Sequence, residues 1–108
     1  MEEVSAWVIG RSAQFPREHR FTLGERMVQA SLDALEALTE AAYRRDKLAS
    51  LAAADRALVR LRVIARLAER FQCISHAQMA HLASESVEVG RMLGGWTRQQ
   101  RRAMEDKV

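Results

Sequence analysis

The sequence predicts an all-α fold, an up-and-down antiparallel four-helix bundle, and three observations carry that prediction. Proline occurs once, at Pro16, and glycine only five times in 108 residues. Ala, Leu and Arg, which lose little rotamer freedom in a helix, are abundant. Apolar residues recur at helical spacing in successive stretches joined by short breaks, and no stretch alternates as a half-buried strand does. With 48% apolar residues, a chain of this length buries roughly two-thirds of its unfolded surface in one domain. The domain reading is a bundle over residues 1–96 and a basic C-terminal tail over 97–108.

The first helix carries Val4, Trp7 and Val8 at helical spacing and ends near Gln14, because Phe15 precedes Pro16 and is pushed out of the helical region. A second start is expected at Thr22, with Glu25 three residues on to complete a capping box. That helix runs from about Leu23 to Arg44 with two apolar ridges. One contains Leu23, Met27, Ala30, Ala34, Ala37 and Ala41, and the other Val28, Leu35, Leu38 and Ala42. Together they exceed the stripe that one bundle core requires. A break follows at Arg45-Asp46, with Asp46 as N-cap.

The third helix spans about Lys47 to Phe71, with Leu58, Leu61, Ile64, Ala65 and Ala68 facing the core. Ser75 opens the fourth through a capping box with Gln78 and a staple between Ile74 and Met79. In it Met79, Leu82, Ser86, Val89, Leu93 and Trp96 recur at steps of three and four, the seam spacing of packed antiparallel helices. Gly94-Gly95 is expected to stop this helix. For the tail beyond, with Arg98, Arg101, Arg102 and Lys107, a helical and a frayed form both stay open. The four-residue spacing of Gly90 and Gly94 predicts close helix packing inside the bundle.

The net charge is +3, and fifteen of the seventeen Lys and Arg residues are Arg, the side chain suited to forked contacts with phosphate or carboxylate. Nucleic acid and an acidic protein face both fit that bias. Cys73 stands alone, so no internal disulfide forms; it reads as a small core residue in a reducing compartment. No apolar run reaches membrane-span length, and Glu2 and Glu3 stand where a signal peptide carries positive charge, so a cytoplasmic location without membrane contact is expected.

Arg56, Arg60, Arg62, Arg66 and Arg70 fall within about half the circumference of the third helix, and Val59, Val63 and Leu67 lie in the same arc. A monomer would expose that apolar ridge, so a second subunit or a partner protein is expected to cover it. The plainer alternative is a solvated face whose Arg stems shield a few aliphatics. An enzyme is not indicated: there is no nucleophile with a positioned base, no glycine-rich phosphate loop and no paired acids in an apolar pocket. No cofactor or metal is expected, because the five-residue step from His76 to His81 turns them about 140° apart. The chain has only six aromatic residues, and Trp7, Phe71 and Trp96 read as core or seam residues, so base stacking is not expected.

Residues 15–27, beginning Phe15-Pro16-Arg17, and residues 90–96, ending Gly94-Gly95-Trp96, carry a family resemblance. With Ala42-Tyr43, the arginine run and Ile74-Ser75-His76-Ala77-Gln78, the chain resembles the four-helix-bundle family that contains the accessory variability determinant of diversity-generating retroelements and the proteins of 23S ribosomal RNA intervening sequences. The first and last blocks are closer to the accessory branch. The resemblance implies a homopentameric barrel with a basic surface. It also implies a non-catalytic accessory subunit that binds the element's reverse transcriptase and template RNA or DNA, and so supports mutagenic reverse transcription. The residues expected to make those contacts are Arg17 and Arg20 before the second helix and Arg56, Arg60, Arg66 and Arg70 on the third. An intervening-sequence-type bundle and a structural oligomer or protein-interaction module are the alternatives. The first helix is shorter than the family usually shows.

Overall fold

The computed structural model describes residues 1–106; Lys107 of the expected tail lies outside them. Among the described residues there are helices and no strand. Four long helices, α1 (Glu2–Ser12), α3 (Glu25–Tyr43), α4 (Leu48–Arg70) and α5 (His76–Glu105), form the bundle, while a short α2 (Arg17–His19) and a π-helical turn (Arg20–Gly24) lead into α3. Each long helix packs on the next in sequence, and α1 closes the ring against α5. Short connections between neighbours impose the antiparallel order.

The α3–α4 contact is the most extensive, and its composition explains why. Ala30, Ser31, Ala34, Ala37 and Ala41 of α3 face Ala54, Ala57, Ala65 and Ala68 of α4, all buried. Such small side chains let two helix backbones approach closely along their length. Leu51, Leu58, Leu61, Met27 and Leu82 fill the remaining volume and are essentially inaccessible to solvent. Val4 and Val8 seal the top of α1, and the Ser5 hydroxyl donates to the Ser31 carbonyl at 3.3 Å, tying α1 to α3. Of the second α3 ridge, Val28, Leu35 and Leu38 are only half-buried and Ala42 is exposed, so the helix has more apolar width than this bundle covers.

Two helix starts behave differently from each other. At α5 the capping box forms as the sequence predicts: the Gln78 amide donates to Ser75 Oγ at 3.0 Å and the Ser75 amide to Gln78 Oε1 at 2.8 Å. Ile74 and Met79 are buried across it as a staple. At Thr22 no box forms. The chain already turns from Arg17, because Pro16 has a fixed φ near the helical value and no N–H to satisfy. Thr22 therefore sits inside a helical run, where its hydroxyl donates to the His19 carbonyl at 3.3 Å. Between α3 and α4, Asp46 Oδ1 accepts from the Leu48 amide at 3.3 Å, the capping contact expected of it, one residue upstream of the formal boundary at Lys47. Lys47 has a second use: its ammonium donates to the Ala41 carbonyl at 2.6 Å, completing the C-terminus of α3. The α4 end closes through a left-handed Gln72, with the Cys73 amide donating to the Ala68 carbonyl at 2.8 Å and the Gln72 amide to the Glu69 carbonyl at 2.9 Å.

The expected stop at Gly94-Gly95 is overturned, because α5 continues to Glu105 and neither glycine has positive φ. A glycine ends a helix when it takes the left-handed conformation, and here the following Arg, Gln and Ala residues favour continuation enough to offset about 1 kcal/mol per glycine. The Thr97 hydroxyl also bonds back to the Leu93 carbonyl at 2.8 Å. Nor do Gly90 and Gly94 serve close packing within the bundle. A Cβ at Gly90 would meet nothing within 4 Å, and one at Gly94 only the Arg98 guanidinium at 3.5 Å.

Trp96 is half-buried against the core, with the Lys47 ammonium 5.9 Å from its ring centroid. Full enclosure would make Trp96→Ala cost roughly 3 kcal/mol; half-burial with one cation–π contact lowers the expected loss to about 2 kcal/mol. A thermal melt checks this. An unchanged melt would mean that the indole contributes nothing to the bundle.

Candidate nucleic-acid and partner-binding face

The outward side of α4 follows directly from where its inward side lies. With Leu51, Ala54, Leu58, Leu61, Ala65 and Ala68 buried, a rotation of 100° per residue sends Val59, Val63, Arg56 and Arg70 to the far side. Val59, Val63 and Leu67 are 45%, 47% and 42% exposed, a continuous aliphatic ridge open to solvent, as the sequence predicts. Arg56, Arg66 and Arg70 are exposed beside it and make no ion pair among the described residues. Arg60 differs. Its guanidinium reaches across to Asp33 of α3 at 3.4 Å, so part of its charge is already answered. Arg62 is half-buried.

Arg17 and Arg20, far from α4 in sequence, arrive at its C-terminal end. Phe15 is buried and anchors the chain after α1, and the His19 ring then packs 5.0 Å from the Phe71 ring. That contact joins α2 to the end of α4, so Arg17 and Arg20 share a pole of the bundle with Arg66 and Arg70. Both are exposed, and Arg20 donates to the Phe15 carbonyl at 3.4 Å. Arg56 lies about 21 Å further along the helix from Arg70 at 1.5 Å per residue, so the six residues do not form one compact site. Four gather at one pole, and two lie along the face that leads from it.

Phe71 is 56% exposed, which corrects its reading as a core residue. It follows the last turn of α4 and lies outside the bundle, where His19 shields one side of its ring. Two residues of the same pole were not singled out in the sequence, Phe21 and Arg26. Both line an open groove of about 810 Å³ together with Arg20, Glu25, Val28 and Gln29. The signal that would have found them is Pro16. A helix begun there, instead of at Thr22, rotates Phe21 off the core.

No three His, Cys, Asp or Glu side chains come together to hold a metal among the described residues. His76 Nδ1 lies 2.8 Å from Glu69 Oε1, and the His81 ring packs 5.2 Å from the Trp7 ring. Burial first, and then the Glu18 carboxylate, push the Cys73 thiol above its ordinary value, which lowers its thiolate fraction and suits a packing role. Among the described residues no helix is long and apolar enough to cross a membrane.

The fold and this face define a class: an all-α helical bundle with an apolar ridge flanked by arginines. Comparison with known families makes the class specific. The model of a family described as bAvd-like matches residues 1–100, and the chain belongs to that family, the accessory variability determinants of diversity-generating retroelements. The family is an accessory, non-catalytic one. No curated protein and no solved structure matches the chain.

Proposed function

We propose that this protein is the accessory subunit of a diversity-generating retroelement, acting in the cytoplasm as a homopentamer that binds the element's reverse transcriptase and its template RNA or DNA. The observation that carries the proposal is the outer face of α4, where exposed Val59, Val63 and Leu67 run between Arg56, Arg66 and Arg70. Aliphatic side chains in such a row gain from being covered by another protein surface. Guanidiniums at the rim of that contact stay hydrated and free to hold phosphate oxygens through paired N–H donors.

Arg17, Arg20, Arg66 and Arg70 supply a cluster of positive charge at one pole, and Arg56 and Arg60 extend it along α4. Contacts of this kind position a nucleic-acid backbone without reading base sequence. That suits a subunit serving an enzyme that must copy a template through many different bases. In this reading synthesis belongs to the partner, as suits a family of accessory, non-catalytic proteins. Retention of the purified reverse transcriptase and template RNA on the immobilised protein tests the assignment, with loss of both on Arg56→Ala/Arg66→Ala/Arg70→Ala as the expected result.

A further inference from the structure

The groove beside Phe21 is explained neither by the bundle nor by the outer face of α4. It lies between the C-terminal end of α1 and the start of α3, and the π-helical turn Arg20–Gly24 builds one wall. A π-helical turn is uncommon, since it widens the helix by one residue and weakens its hydrogen bonding, and such turns occur often at functional sites. Within this turn Phe21 is 66% exposed, whereas Phe15, six residues earlier, is buried. The groove has the volume of a ligand site, about 810 Å³. Its cations are Arg20 and Arg26, its one acid is Glu25, and Gln29 at the edge already donates to Asp33 at 2.8 Å.

We infer that this groove seats an unpaired base of a single-stranded nucleic acid on the Phe21 ring while Arg20 and Arg26 hold the phosphates on either side. An exposed aromatic ring in a groove that two arginines also line combines the two sequence-tolerant contacts that single strands offer, stacking and backbone charge. Glu25 accepts from an exocyclic amino group and keeps a further phosphate out of the groove. A duplex cannot use the site, since its bases are already stacked. The inference rests on the nucleic-acid reading above and gives that reading a second contact, away from the α4 ridge.

The test is fluorescence anisotropy with a short labelled single-stranded RNA, the DNA strand of the same sequence and the corresponding RNA duplex. Phe21→Ala is expected to weaken both single strands about tenfold, to leave their salt slope unchanged and to leave the duplex unaffected. Phe21→Trp, which keeps a π face, should restore the affinity and show indole quenching when RNA is added, and that recovery separates stacking from a structural role. Arg20→Ala/Arg26→Ala should reduce the magnitude of the salt slope for single strands by about 1.4, at about 0.7 per phosphate contact. Single-strand affinity unchanged by Phe21→Ala, but lost on Arg56→Ala/Arg66→Ala/Arg70→Ala, would overturn the groove and leave the α4 reading intact. A wild-type protein that binds no single strand at low salt would remove both. Loss of reverse-transcriptase retention with RNA affinity unchanged in Phe21→Ala would make the groove a protein-docking site and end the proposal.

Discussion

Val63→Asp is expected to convert the assembly into a monomer. Val63 is at the centre of the exposed α4 ridge, with Val59 one turn before and Leu67 one turn after. In an isolated chain an aspartate there faces water, so the fold should be unaffected and the melt of the monomer little changed. In an interface the same carboxylate would be desolvated without a dedicated partner, which costs several kcal/mol at each of the repeated contacts. Multi-angle light scattering should give the wild type several times the 12.2 kDa chain mass, with five copies expected, and the variant a single chain mass. A variant that keeps the wild-type mass would show that the ridge is not the subunit contact. A monomeric wild type would leave the ridge to the reverse transcriptase.

The second large effect is electrostatic. Arg56→Ala/Arg66→Ala/Arg70→Ala removes three cations that have no ion-pair partner among the described residues, so no buried acid is left uncompensated and the bundle should stay folded. For a single strand, each lost phosphate contact lowers the magnitude of the slope of log K against log salt by about 0.7. The triple variant should therefore lose about two from that slope and bind at least tenfold more weakly at low salt. Arg60→Ala should do less, because Asp33 already draws its guanidinium toward α3 at 3.4 Å. A slope unchanged in the triple variant would place the phosphate contacts elsewhere.

Features written in local sequence were legible, and those decided by competition were not. The Ser75–Gln78 box formed because both partners lie within one turn and nothing upstream had started the helix. The outward ridge of α4 was legible from periodicity alone, since 23 residues in one helix fix the opposite face once the buried face is known. Thr22 and Glu25 have the same spacing as Ser75 and Gln78, yet Pro16 begins the turn earlier and makes their box superfluous. Gly94-Gly95 failed as a stop for a related reason: termination depends on whether the residues beyond can continue the helix, and Arg98 to Ala103 can. The exposed Phe21 and Phe71 were hidden because an aromatic residue near a helix end carries no periodic signal about which side it takes. With them went the groove, which Phe21 and Arg26 line beside the π-helical turn.

Retention of the retroelement's own reverse transcriptase on the immobilised protein, with and without its template RNA, is the most direct test of the proposed role. Wild type is expected to hold the enzyme at low salt, template RNA to strengthen the complex, and rising salt to release both together. Arg56→Ala/Arg66→Ala/Arg70→Ala is expected to hold neither, although its melt matches wild type. A wild-type protein that retains neither enzyme nor RNA at low salt would contradict the assignment of this basic bundle as the accessory subunit.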